Sequence, residues 1–110
     1  MSSLGIYEKA LPKKTDWIEK LDLADQLGFN FVEMSIDESD QRQSRLDWNL
    51  QERLKVREAI ENSPVDIPTL MLSGNRRFPL GSADQKTRQH GVWMIKRAVD
   101  LAVDLGIRLI

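Results

Sequence analysis

The stretch that decides the fold runs Asp22-Leu23-Ala24-Asp25-Gln26-Leu27-Gly28-Phe29-Asn30-Phe31-Val32-Glu33-Met34-Ser35-Ile36. Its first part reads as the last turns of a helix, and Gly28 as the left-handed residue just past a helix end. The rest reads as an apolar strand entering a core. The same device recurs further along the chain. Asp100-Leu101-Ala102-Val103-Asp104-Leu105-Gly106 shares Asp, Leu, Ala, Leu and Gly with residues 22–28 and leads into Ile107-Arg108-Leu109-Ile110.

Working outward, Asp16 stands three residues before Glu19, the spacing of a capping box. Trp17, Ile18, Leu21, Ala24 and Leu27 then mark one face of a helix of about 12 residues. Before it, Leu4 to Tyr7 reads as a short strand, followed by a loop with Pro12, Lys13 and Lys14. Downstream, Asn49 and Glu52 open a second helix whose apolar positions are Leu50, Leu54, Val56 and Ile60; Ser63-Pro64 stops it. Ile67 to Leu72 is a third strand, with Pro68 near its start, where a missing donor does least harm. A polar loop from Ser73 to Gly81 precedes Ser82-Ala83-Asp84-Gln85, another capping-box spacing. Met94, Ala98, Leu101, Ala102 and Leu105 line a third helix that Gly106 ends, and residues 107–110 begin a fourth strand.

Strands alternating with helices predict right-handed βαβ units and a parallel sheet. Three β/α units and part of a fourth strand suit the N-terminal part of a (β/α)8 TIM barrel, which takes about 250 residues. A flavodoxin-like domain would need a finished fifth strand and a final helix. Residues 1–110 are therefore expected to be the first part of a single barrel domain, truncated within a strand.

Composition narrows the function classes. The 110 residues are 41% hydrophobic and 30% charged, which is globular and not disordered. Lys+Arg 16 against Asp+Glu 17 gives a net charge of −1, which disfavours a phosphate-backbone footprint and with it an endonuclease-like role. With Cys 0 there is no thiolate nucleophile and no Cys-based zinc site. No basic segment leads into an apolar run, and no stretch approaches the roughly 20 apolar residues of a membrane span. The expectation is a cytoplasmic chain with no nucleic-acid or membrane partner.

In parallel α/β folds, ligands meet the carboxyl ends of the strands. This places Glu8 and Lys9 after the first strand, Glu33, Ser35, Asp37 and Glu38 at the second, and Ser73, Gly74, Asn75, Arg76 and Arg77 after the third. Arg76-Arg77 could hold a phosphate bidentately, or one could pair with the acidic loops while the other is solvated. Glu33 points inward if Val32 points outward, and an inward carboxylate is either functional or paired with a cation such as Lys9. Asp37 to Asp40 reads as a solvated charge run. His90, alone of its type, reads as a surface or capping residue, and Trp17, Trp48 and Trp93 as packing residues.

Four segments carry a resemblance: Leu4-Gly5-Ile6-Tyr7-Glu8-Lys9-Ala10-Leu11-Pro12, Phe31 to Glu38, Ser44-Arg45-Leu46-Asp47-Trp48, and Arg76-Arg77-Phe78-Pro79-Leu80-Gly81-Ser82. Together they resemble the N-terminal part of the L-ribulose-5-phosphate 3-epimerases, also called L-xylulose-5-phosphate 3-epimerases, of L-ascorbate utilisation. The resemblance covers essentially the whole chain. It implies a fold similar to xylose isomerase and a metal-dependent isomerase of the pentose phosphates that inverts C3 through an enediolate. The metal would be Mn, Mg, Zn or Co, with its ligands beyond Ile110, so that neither metal ligands nor catalytic residues fall in this segment. What it leaves here are substrate-binding candidates: Glu8, Lys9, Glu33, Ser73, Asn75, Arg76 and Arg77. Of the two arginines, Arg77 is expected on the phosphate and Arg76 on the Asp37-Glu38 loop. The implied partner is a small sugar phosphate, and a homodimer is compatible with it. Where relatives are expected to read Cys-Leu-Ser-Ala-His-Arg-Arg, this chain reads Met71-Leu72-Ser73-Gly74-Asn75-Arg76-Arg77. Asn75 keeps a donor there but does not titrate. Hexulose-6-phosphate isomerisation, or a non-catalytic relic or binding protein, are the alternatives.

Overall fold

The computed structural model describes residues 4–12, 16–108 and 110. Three parallel strands, β1 (Gly5–Tyr7), β2 (Phe31–Ile36) and β3 (Asp66–Leu72), form one sheet in that order. Between them run α1 (Trp17–Gln26), the short α2 (Asp40–Gln43) and α3 (Leu50–Glu61), and β3 is followed by α4 (Gln85–Leu105). The predicted α/β order is the observed one. Lys13, Lys14 and Leu109 lie outside the described residues, and Ile107, Arg108 and Ile110 are not in a strand. At the start of this expected fourth strand the chain makes a tight helix exit, in which the Ile107 N–H donates to the Ala102 carbonyl at 2.8 Å.

Each helix begins as its cap demands. Asp16 accepts from the Glu19 N–H and Asn49 from the Glu52 N–H, each at 2.8 Å. For α4 the cap is Asp84 and not Ser82: Asp84 accepts from the Lys86 N–H, while the Ser82 hydroxyl accepts from the Asp84 N–H. The two repeated helix ends both place glycine in the left-handed region, Gly28 at φ 86° and Gly106 at φ 77°.

Register sorts the strand residues into two faces. Ile6 pairs with Val32, Met34 with Leu70 and Ile36 with Leu72. On this face Val32, Met34, Ile36 and Leu70 are buried against Leu21, Ala24, Met94, Ala98 and Leu101 of the helices. The opposite face carries Gly5 beside Phe31, Tyr7 and Thr69 beside Glu33, and Met71 beside Ser35. A shift of register between Phe31 and Glu33 skips one residue of β3 around Ile67-Pro68, so the proline sits where the ladder is already interrupted.

The second long helix packs Val56 and Ile60 half-buried against the core, as their spacing predicts, but not its other two aliphatic positions. Leu50 and Leu54 are exposed, and the buried side chain of α3 is Arg53. Its guanidinium donates to the Trp48 and Leu46 carbonyls at 3.0 and 3.3 Å and pairs with Asp104 of α4 at 2.8 Å. That junction spans two helices and the turn between α2 and α3, so a charged residue takes the place assigned to aliphatic ones. Trp17 is buried and Trp48 half-buried, but Trp93 is exposed, stacked on His90 with ring centroids 5.1 Å apart. His90 neither caps a helix nor stands free on the surface: it is half-buried, held between Trp93 and Phe78, the latter at 4.0 Å.

Candidate functional site

The carboxyl ends of all three strands open on one side of the sheet, and each contributes to a pair of adjoining clefts. One, of about 480 Å³, is lined by Tyr7, Lys9, Ser35, Met71, Ser73 and Arg76. The other, of about 280 Å³, shares Lys9, Ser73 and Arg76 and adds Asp37, Glu38 and Ser39. Backbone geometry decides what reaches them. Residues 8–10 form a 3-10 turn directly after β1, which sends Glu8 inward and Lys9 outward. Residues 74–77 form a second such turn after β3. Gly74 permits it, because a Cβ there would lie 2.4 Å from the Asp37 carbonyl oxygen.

The candidates divide. Lys9 stands at the rim of both clefts, its ammonium 3.6 Å from Asp37. Lys9 therefore pairs with Asp37 and not with Glu33. Glu33 does face away from the helices, as the two-residue strand period requires, and accepts from the Thr69 hydroxyl at 2.8 Å. Its other oxygen, Oε1, is buried without a hydrogen-bond partner among the described residues, and so is the Ser35 hydroxyl. Two orphaned polar atoms on one strand face are costly unless something fills them.

Of the two arginines it is Arg77, not Arg76, that binds the acidic loop. Arg77 donates to the Glu38 carbonyl at 2.9 Å and pairs with Asp40 at 2.8 Å, tying the β3 turn to the start of α2. Arg76 instead lines both clefts, with no ion pair to any described residue. Asn75 lies in the same turn but lines neither cleft, so the structure does not bring it to Lys9 and Arg76.

Glu8 is fully buried and already occupied. Its carboxylate receives the Ser35 N–H at 2.9 Å and both terminal nitrogens of Arg45, with the Lys20 ammonium at 3.2 Å and Arg42 at 3.8 Å. Burial by itself would raise the Glu8 pKa, but the Arg45 hydrogen bond and charge, the Ser35 N–H and Lys20 together hold it below its ordinary value. Both oxygens of Glu8 are thus engaged within the protein, and the carboxylate is the hub that holds the turn. Asp37 is no solvated acid either. It accepts from the Ser39 hydroxyl and N–H and from Arg42 at 2.7 Å, and these outweigh burial to hold its carboxyl well below the usual range. Arg42, Arg45 and Lys20 were not among the sequence candidates. The one available signal was Gln41-Arg42-Gln43-Ser44-Arg45, two arginines three apart beside the acidic stretch.

Comparison with known proteins agrees with the geometry. Residues 21–110 match the family described as the xylose isomerase-like TIM barrel. The chain belongs to that family. It is 52% identical over 107 residues to proteins named L-ribulose-5-phosphate 3-epimerase UlaE from Escherichia coli O139:H28 and from Shigella boydii serotype 18, covering 97% of this chain. It spans 38% of the length of those relatives. The crystal structure of a D-psicose 3-epimerase in the presence of D-fructose superposes with a TM-score of 0.75 over 96% of this chain and 35% of that one. At 17% identity this similarity shows the shared barrel fold. The sheet of this xylose isomerase-like chain is thus the opening arc of a barrel, and its open face is the side that a barrel encloses. Among the described residues no three His, Asp or Glu side chains converge as metal ligands, and no helix is long and apolar enough to cross a membrane.

Proposed function

We propose that the protein carrying this chain is a sugar-phosphate 3-epimerase interconverting L-ribulose 5-phosphate and L-xylulose 5-phosphate, and that this segment supplies part of its substrate pocket. The observation that carries the reading is the strand-end cleft. It has two cations at its rim, Lys9 and Arg76, and the orphaned Ser35 hydroxyl at its wall. A phosphorylated polyol complements that set: phosphate for the cations, hydroxyl groups for Ser35 and, on the same strand face, for the free oxygen of Glu33. Identity to the named 3-epimerases supports this reaction over others that such a cleft could serve.

Inversion at C3 of a 2-ketose removes the proton next to the carbonyl and returns it from the opposite face. The divalent metal that the family resemblance implies would take its ligands beyond Ile110, outside this segment. Its part in the reaction is positioning. Anchoring the phosphate away from the reacting carbon fixes the carbon chain, and that gain is realised at C3.

The test is Arg76→Ala in the full-length protein. Loss of a charge-assisted contact of about 1.5–3 kcal/mol lowers kcat/KM for L-ribulose 5-phosphate roughly 10- to 150-fold. For unphosphorylated L-ribulose the change should be slight. Arg77→Ala, which unties a loop, should affect both substrates alike. Equal losses for the two substrates in Arg76→Ala would place the phosphate elsewhere.

A further inference from the structure

Away from the strand-end clefts, on the helix side of the sheet, a groove of about 460 Å³ lies between α1 and α3. Its walls include Trp17, Ile18, Trp48 and Val56, and two cations, Lys20 and Arg45, reach it from the buried cluster. Their side chains are 5% and 8% exposed. The cluster is unbalanced. Lys20, Arg42 and Arg45 are three buried cations, and they share two carboxylates, Glu8 and Asp37, the second of which also meets Lys9. Among the groups of the cluster alone, three cations exceed two carboxylates by one, and two of those cations, Lys20 and Arg45, line the groove. A buried charge without a full counter-charge is costly, and here the cost shows on Lys20, whose pKa burial pulls below its ordinary value despite Glu8.

The open side of this cluster is aromatic. The Arg45 guanidinium lies 5.3 Å from the Trp17 ring and 5.8 Å from that of Trp48, and the Lys20 ammonium 4.9 Å from Trp17. These contacts hold the cations in place, and the indoles form the apolar wall beside them. The other charges facing the groove lie on exposed residues: Asp16, Glu52 and Lys55. Asp16 is engaged in capping α1. Of the three Nζ hydrogens of Lys20, Glu8 satisfies one direction, which leaves donors for a further acceptor.

We infer that the groove between α1 and α3 is a binding site for a small organic anion, its carboxylate on Lys20 and Arg45 and a flat apolar body against Trp17 and Trp48. The site is separate from the proposed substrate cleft and does not depend on the epimerase reading.

Phenylacetate and its neutral isostere phenylacetamide are the probes, and indole fluorescence of the full-length protein is the readout. Phenylacetate should quench saturably and bind at least about tenfold more tightly than the amide, and Trp93→Phe, at a residue that does not line the groove, should keep the response. Lys20→Met should abolish it. Since that variant disturbs the buried cluster and could fail to fold, Val56→Glu provides a second arm: it sets a carboxylate in the groove without touching the cluster and should also abolish binding. Equal affinity for the amide, no saturable quenching up to about 10 mM, or full binding in Val56→Glu would overturn the proposal. So would a dimer in sedimentation that phenylacetate dissociates, because the anion filling the groove would then belong to a second copy.

Discussion

Replacing Glu8 by Gln removes one charge from the centre of the buried cluster while keeping the shape of the side chain. The amide oxygen can still accept the Ser35 N–H, which now donates at 2.9 Å. The amide nitrogen, however, faces Arg45 and Lys20, donors against a donor, and three buried cations are left with Asp37 alone. Removing one partner of a buried ion pair costs about 3–5 kcal/mol. In a domain of barrel size each kcal/mol shifts Tm by about 2–4 °C, so the full-length variant should melt roughly 6–20 °C lower at neutral pH. Circular dichroism melts and urea titrations measure this directly. The pH dependence supplies a second check. Glu8 is held below its ordinary pKa of 4.5, so its contribution is fully present above that value and is lost as pH falls through the folded-state pKa. The gap between wild type and Glu8→Gln should therefore narrow on acidification below pH 4.5. Acid sensitivity remains in the variant because Asp37, depressed in the same sense, is still there. A variant within about 1 kcal/mol of wild type at pH 7, or a gap that does not narrow in acid, would refute the account of Glu8 as the hub.

Gly28→Ala and Gly106→Ala should each cost about 1–2 kcal/mol in urea unfolding; a Cβ meets nothing within 4 Å at either site, so the whole effect is the left-handed backbone. Asp16→Ala removes the cap of α1 and should cost about 1 kcal/mol, whereas Asp16→Asn, which can still accept from the Glu19 N–H, should recover most of it. Residues 1–110 prepared alone leave Tyr7 and Met71 exposed on the open sheet face and β1 and β3 as unpaired edges. Sedimentation should show self-association, and a monomer with a cooperative transition of several kcal/mol would contradict it.

Some of this was readable from single residues and some was not. The inward direction of Glu33 follows from a two-residue period anchored by Val32, and the two left-handed glycines follow from the repeated helix ends. Each rests on neighbours in sequence. The environment of Glu8 rests on partners 27 and 37 residues away, Ser35 and Arg45, and no local pattern announces them. That Arg77 and not Arg76 binds the acidic loop has a different cause. Adjacent residues in an extended loop point in opposite directions, and either assignment is then open. In the 3-10 turn of residues 74–77 they instead diverge by a third of a turn, and the outcome depends on where the turn docks. It docks on Asp37 through Gly74. For α3 the aliphatic spacing holds at Val56 and Ile60 but not at Leu50 and Leu54, because the junction with α4 requires the donor of Arg53, which no apolar pattern announces.

Two neighbouring pairs, Glu8-Lys9 and Arg76-Arg77, then share one logic. In each pair one member ties its turn to the end of β2 and the segment after it, and the other is left facing the cleft. Glu8 binds Ser35 and Arg45, and Arg77 binds Glu38 and Asp40, so both turns are referred to residues 35–45. That segment carries its own bracing: Asp37 holds Ser39 and Arg42, and Gln43 donates to the Asp37 carbonyl at 3.2 Å. The relative position of Lys9 and Arg76 is therefore set less by either strand end than by the small helix between β2 and α3. A charge run that reads as solvated loop is the part that aligns the two cations, and a phosphate bound between them would depend on residues that never touch it.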